Sequence, residues 1–325
     1  MVFTGYGIVE QPSVSIIIPC KEVDQYTENC VKHCKRLDYK NYEILLLPDS
    51  RLEKMDGVRM IPTGPVTPGA KRNIGVSKAK GEICAFIDSD AYPRRDWLNN
   101  AIKYFGNPEV AAVGGPGLTP AADNVMQKAG GHVLSSFMVG NLSCRYKAKR
   151  HAESDDIHSC NFIVRKSVLL KAGGWNEKYW PGEDTLLCSA IRRLDKKLIE
   201  ASDVVVWHHR RPLFKEHLRQ IWRFGLHRGF FAKKYRGNSF KVTYFVPSLL
   251  VSSLFVGALF SILDSFFMSA LLTSASAYLL LCLIASLIEV REAKLILPVW
   301  LGIIATHITY GTSFLIGFLK RDLKR

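Results

Sequence analysis

Two aspartates one residue apart close an apolar run, Ala85-Phe86-Ile87-Asp88-Ser89-Asp90. Residues i and i+2 of a strand share a face, so if strand geometry persists to the end both carboxylates enter the same space. Two hard oxygen donors without a full protein cage suit Mg2+ or Mn2+, which complete their shells with water and substrate phosphates. A turn at a strand end explains the same two acids without a metal. Other acids follow other apolar runs: Glu22 lies just beyond 14–19, which ends in Pro19, and Asp49 just beyond 42–47. Glu183 and Asp184 open a helical stretch, where the helix dipole stabilises acids, so capping accounts for them as well as proton transfer does. His208 and His209 end the apolar run 204–207. A histidine there could complete a metal shell.

The elements that would position these groups alternate in type. Residues 14–19 are β-branched and stopped by proline, as in a strand buried on both faces. A helix is expected at 25–37, strands at 42–47 and 58–61, a helix at 70–80, and then the strand that carries Asp88. This order predicts an α/β fold with a Rossmann-like, mostly parallel sheet and right-handed crossovers. Such sheets bind ligands beyond their carboxyl ends, which is where Pro19, Glu22, Asp49, Asp88 and Asp90 fall. The turn after the first strand, Cys20-Lys21-Glu22-Val23, contains no glycine. A dinucleotide fingerprint and a Walker A loop are therefore absent, and carboxylates with a metal must do what a glycine loop would do.

The chain has 325 residues and a formal net charge of +15. Its basic residues crowd between Arg145 and Arg236, directly before the long apolar runs, a position that fits anionic lipid or phosphate. Nucleic acid would instead call for aromatics interleaved with the basic residues and no apolar spans. Eight cysteines lack any C-x-x-C pair, as reduced thiols in a cytosol-facing domain would. The first 13 residues lack a basic then apolar pattern, so no cleaved signal peptide is expected.

After residue 211 the character changes. Lys215, Arg219 and Arg223 fall on one helical stripe, with Phe214, Leu218, Ile221, Trp222 and Gly225 on another, as in an interfacial amphipathic helix. Three apolar stretches follow, at 244–263, 267–288 and 295–319, each close to the ~20 residues a span requires. The expected domains are a catalytic domain at 1–211, the interfacial helix and linker at 212–242, and a membrane domain at 243–325.

The ordered set of 14–19, Asp49, the run from Gly69 to Gly75, Asp88-Ser89-Asp90, Gly173-Gly174-Trp175, Gly182-Glu183-Asp184 and Gln220-Ile221-Trp222-Arg223-Phe224 resembles family 2 glycosyltransferases. The resemblance covers about residues 12–225 and implies a GT-A fold. Within the family the chain looks most like membrane-bound exopolysaccharide enzymes of the succinoglycan type, through 136–141, 208–226 and 307–315. By this resemblance Pro19, Glu22, Asp49, Arg72 and Asp88 hold a UDP- or GDP-sugar. Asp90 binds Mg2+ or Mn2+ with Asp88, and His209 is a further donor. Asp184 is the base, with Glu183 beside it. Arg145, Lys147, Gln220, Trp222, Arg223 and Phe224 face the acceptor or the membrane. Phe224 stands where the family's Q-x-x-R-W motif has tryptophan, so any hydrogen bond of that indole N–H is lost.

The resemblance implies an inverting, metal-dependent transferase that extends a lipid-linked saccharide in polysaccharide or glycan assembly. Polyprenyl-phosphate monosaccharide synthesis is an alternative, because a phosphate acceptor needs cations such as Arg145 and Lys147 more than a base. A silent, membrane-bound nucleotide-sugar binder is a third reading, disfavoured by Asp88, Asp90 and Asp184 standing together. The expected place is the cell membrane, multi-pass, with the catalytic domain cytosolic. Three crossings would put the basic residues at 320–325 outside, against the positive-inside rule. A re-entrant third segment, carrying Pro298, Gly302, His307 and Gly311, is the alternative to three crossings.

Overall fold

The computed structural model describes residues 11–51, 53–140, 145–148 and 151–323. Asn141, Lys149 and Arg150 of the basic stretch lie outside the described residues. The chain forms two compact units, Met1–Leu118 with Lys147–His208, and Thr119–Tyr146 with His209–Arg325. Beside the domains expected at 1–211, 212–242 and 243–325, this division groups 119–146 with the segment from His209 onward.

The first unit contains, in chain order, β1 (Val14–Pro19), α1 (Gln25–Cys34), β2 (Tyr42–Leu47), β3 (Arg59–Met60), α2 (Pro68–Lys78), β4 (Ile83–Ile87), β5 (Ala91–Pro93), α3 (Trp97–Tyr104), β6 (Val110–Gly114) and β7 (Gly117–Leu118). After α4 (Val125–Ser135) of the second unit come β8 (Ala152–Ser154), β9 (Asn161–Arg165), α5 (Lys166–Lys171), α6 (Glu183–Arg192), β10 (Lys197–Glu200) and β11 (Val206–His208). Eight strands make one sheet in the order β3-β2-β1-β4-β9-β6-β10-β8. The sheet is mostly parallel, as expected, but β9 runs antiparallel between β4 and β6, and β8 antiparallel beside β10.

Alternation along the central strands explains why they read as unbroken apolar runs. Ile16, Ile18, Ile44, Leu46, Ala85 and Ile87 enter the core on one face, with Trp97 and Leu98 of α3. Ile17, Leu45, Leu47, Cys84 and Phe86 enter the core on the other, with Trp175 and Leu187. Each buried Ile or Leu contributes about 1.5–3 kcal/mol relative to exposure. The parallel register, Ile16↔Ile44 and Ile16↔Ala85, makes β1, β2 and β4 end together. Because β9 is antiparallel, with Ile87↔Asn161, the residues that precede it arrive at that same edge.

The second unit is helical, with α4 joined by α7 (Lys215–Lys234), α8 (Val242–Phe260), α9 (Ser265–Glu289) and α10 (Ala293–Leu319). The sequence placed these helices within a few residues of their observed bounds. Among the described residues three segments, Gly237–Phe260, Ser265–Glu289 and Ala293–Leu319, are long and apolar enough to cross a membrane. Their core, with Ala129 and Val133 of α4, includes Leu213, Cys282, Ala285, Val299 and Ile303.

Candidate active site at the carboxyl edge of the sheet

Three consecutive residues of α2 build one side of the site. Thr67 caps this helix through Ala70 N at 3.2 Å, with Pro68 as its first residue, an arrangement that fixes the direction of the first turn. Lys71, buried, sets Nζ 2.6 Å from Asp49 Oδ1 and 2.6 Å from Thr63 Oγ1. Arg72, also buried, reaches Glu183 Oε1 with Nη1 at 2.7 Å and Asp88 Oδ1 with Nη2 at 2.9 Å. Asn73 donates to Trp175 O and accepts from Trp175 N, both at 2.9 Å. Its side chain thereby holds the turn through Gly174, whose φ of 74° suits glycine, and lays Trp175 against the guanidinium, 4.8 Å from Cζ to ring centroid.

Glu183 and Asp184 share a helix start and differ in role. Gly182, at φ 107°, lets the chain enter α6, and both acids lie in its first turn. Glu183 is 3% exposed and points at Arg72. Burial pushes its carboxyl up to about 7, with Arg72 opposing. Asp184 is partly exposed, and its Oδ2 accepts from Ser159 N at 3.3 Å while Oδ1 accepts from Thr185 N at 2.8 Å. Of these two acids, Asp184 is the partly exposed one, and Glu183 is buried against Arg72.

The two acids of the Asp-Ser-Asp run are not presented as a strand would present them. β4 ends at Ile87, and a turn with Ala91 N donating to Asp88 O at 3.0 Å carries the chain into β5. Asp88 then meets Arg72, whereas Asp90 meets His208, with Nε2 3.2 Å from Oδ1. The pairing Ala91↔His208 between β5 and β11 produces that contact. His208, rather than His209, is therefore the histidine beside Asp90. His209 lies past the end of β11, and its Nδ1 is 2.5 Å from Asp123 Oδ1 in the second unit.

Asp88, Cys160 and His208 bring one donor atom each within 4.8 Å of one another. Burial disfavours a charged His208, yet Cys160 and Asp90 hold its pKa well above the ordinary value. The Asp90 carboxylate that attracts a proton to the ring would equally attract a cation, so the two compete for Nε2. A carboxylate and an imidazole fit Mn2+ as well as Mg2+, and Cys160 adds a softer atom than either needs.

Lys71, Ser159, Cys160 and His208 complete this edge. Lys71 sits between Ala70 and Arg72 in a recognisable run, so its position was visible while its partner was not. Cys160 carries no sequence signal, because an isolated cysteine before a strand reads as core. Pro19 ends β1 and Glu22 follows it at the same edge. Gln220, Trp222, Arg223 and Phe224 all belong to α7 of the second unit, with Trp222 and Arg223 exposed, and Arg145 belongs to that unit too. Lys147 belongs to the first.

Residues 15–171 match the family model described as glycosyl transferase family 2, and the chain accordingly carries a family 2 glycosyltransferase domain. Among curated relatives, the pre-mycofactocin glycosyltransferase of Mycobacterium tuberculosis is 28% identical over 150 residues, 46% of this chain and 31% of the relative. The chain thus spans about a third of that protein's length. A Campylobacter jejuni enzyme, GalNAc(5)-diNAcBac-PP-undecaprenol beta-1,3-glucosyltransferase, is 24% identical over 204 residues, 54% of this chain and 58% of the relative. Among solved structures, the mannosyltransferase PcManGT of Pyrobaculum calidifontis, in complex with GDP-Man and Mn2+, superposes with a TM-score of 0.63 at 17% identity. The alignment covers 93% of this chain and 87% of that one, and it shows a shared GT-A-like fold.

Proposed function

We propose that this domain transfers a sugar, with inversion, from a UDP- or GDP-sugar to a lipid-linked saccharide at the cytosolic membrane face. The observation that carries the reading is the gathering of Asp49, Arg72, Asp88, Asp90, Asp184 and His208 at one edge of the sheet. The Mn2+ and GDP-Man of the Pyrobaculum neighbour and the undecaprenol-linked acceptor in the Campylobacter relative's name support it.

In this reading Asp49, held by Lys71, meets the nucleoside, with Pro19 and Glu22 beside it, and Arg72 holds Asp88 in place beside the diphosphate. Asp90 and His208, with Asp88 adjacent, would hold a divalent cation, which when bound would supply positive charge against the leaving diphosphate. Asp184 takes the proton of an acceptor hydroxyl as its oxygen attacks the anomeric carbon. The carbon–oxygen bond to the diphosphate breaks on the opposite face, and the nucleoside diphosphate leaves. Arg145, Lys147 and the α7 residues Gln220, Trp222, Arg223 and Phe224 are assigned to the acceptor or the lipid surface.

The test is mass spectrometry of a lipid extract after incubating membranes that contain the protein with a panel of nucleotide sugars and Mn2+. A lipid-linked saccharide longer by one sugar is expected. A lipid monophosphate sugar would replace this reading with polyprenyl-phosphate synthesis, and donor binding without any transfer would identify a silent binder.

A further inference from the structure

We infer that α10, although long and apolar enough to cross a bilayer, lies along the membrane surface, so that only the hairpin of α8 and α9 enters the hydrocarbon. Its partner is the lipid bilayer itself, met through one face of the helix. Three observations within the second unit carry this.

The first is what runs beside α10. His217 of α7 pairs with Thr306 Oγ1 at 2.9 Å, and further along Lys233 Nζ donates to the carbonyl of Lys320. Between them the backbones nearly touch. A Cβ on Gly225 would lie 2.1 Å from Ser313 Oγ, and one on Gly229 would lie 2.0 Å from Phe314 O. One on Gly317 would lie 2.0 Å from Leu226 O. The two helices therefore run side by side and in the same direction for about 24 Å, at 1.5 Å per residue. Yet α7 carries Lys215, Glu216, Arg219, Arg223, Arg228, Lys233 and Lys234. A helix so charged stays at the aqueous boundary, and the half of α10 that it accompanies stays with it.

The second is where the two ends of α10 lie. Just ahead of its start, Glu289 accepts from Ser135 Oγ of α4 at 2.7 Å, and Gly302 approaches Val133 of the same helix. Its last carbonyls meet Lys233, a few residues before the Lys241 cap where α8 begins. The chain after α10 is thus level with the chain before α8. A single continuous helix cannot cross the bilayer and have that neighbour.

The third is the exposed face. Leu297, Leu301, Ile308, Ile316 and Leu319 are exposed. At 100° per residue they fall within one sector, opposite buried Leu295, Val299, Thr306, Ser313 and Gly317. In contrast, exposed apolar side chains of α9, among them Phe266, Phe267, Met268, Leu279, Leu281 and Leu287, are distributed around the whole helix, as in a lipid-immersed segment. The arrangement leaves an even number of crossings and keeps Lys320 and Arg321 on the side of Lys233 and Lys234, in accord with the positive-inside rule.

The test uses the full chain in native membranes. Lys215→Cys and Arg321→Cys are each treated with a membrane-impermeant maleimide before and after permeabilisation, and labelling is read on the peptide that carries the new thiol. Both positions are expected to label under the same condition, and labelling from opposite sides overturns the inference. In a second measurement, spin labels at Leu297→Cys, Ile308→Cys and Leu319→Cys are read for depth by oxygen against a nickel chelate. Equal, shallow depths are expected at all three. An Ile308 label at the bilayer centre, between two shallow ones, overturns the inference by itself.

Discussion

Arg72 Nη1 lies 2.7 Å from Glu183 Oε1, with both side chains buried. The same guanidinium holds Asp88, so one planar fork ties the first turn of α6 to the end of β4. Glu183→Gln keeps a carbonyl at Nη1 and removes the charge, so it should lower thermal stability and weaken nucleotide-sugar binding. Arg72→Met should cost more, about 3–5 kcal/mol, because it leaves a buried acid unpaired. Thermal unfolding and donor titration read both. A Glu183→Gln variant with unchanged melting and abolished turnover would give Glu183 a part in the chemistry itself.

Asp184→Asn has the opposite signature. The amide oxygen can still cap Thr185 N, so stability and donor affinity should hold, while turnover falls about 100- to 10,000-fold, as for a general base. Single-turnover kinetics with saturating donor would measure it. A parallel loss of donor affinity would mark Asp184 as structural.

Asp90→Asn and His208→Ala should each raise the Mn2+ concentration needed for half-maximal transfer by about tenfold or more. His209→Ala should not, since His209 pairs with Asp123. Chelation should abolish turnover, and full activity in EDTA would remove the cation from the mechanism. Cys160→Ser should leave Mn2+-supported transfer intact while reducing inhibition by Cd2+, a soft cation that prefers a thiolate to a hydroxyl.

His217 gives a pH dependence. Burial lowers its pKa from 6.5 to about 4, and it is 1% exposed. A base whose folded pKa is depressed binds fewer protons folded than unfolded, so its contribution is fully present above pH 6.5 and is lost as pH falls toward 4. The loss should reach roughly 3 kcal/mol by pH 4. His217→Gln, which can still meet Thr306, should flatten the decline of melting temperature between pH 6.5 and 4 relative to the unsubstituted protein in detergent. An identical decline in both would exclude His217.

The strands were legible because both faces of the sheet are buried, which turns 14–19, 42–47 and 83–87 into unbroken apolar runs. The acids beyond them were legible for the same reason, as the first polar residues after each run. Their pairing was not. The strand rule aims Asp88 and Asp90 into one space, but β4 stops at Ile87, and a turn sends one acid to Arg72 and the other to His208. The choice between His208 and His209 depended on the register of β11 against β5, a contact more than a hundred residues apart in sequence. The antiparallel insertion of β9 was hidden likewise, since Asn161–Arg165 has a parallel strand's composition. For α10, hydropathy reports length and apolarity, whereas its neighbour α7 is set by glycines that a hydropathy window ignores.

The passage of Thr119–Tyr146 into the second unit bears on how the protein can be dissected. The chain changes unit at three places, so cutting it near residue 208 does not separate catalytic from membrane-associated parts. A truncated fragment would retain α4 but lose Leu213, Val299 and Ile303, the side chains that cover Ala129 and Val133. Such a fragment would expose a sticky apolar helix and aggregate on expression. A soluble version would need 119–146 replaced by a short polar bridge, or the whole chain kept in detergent.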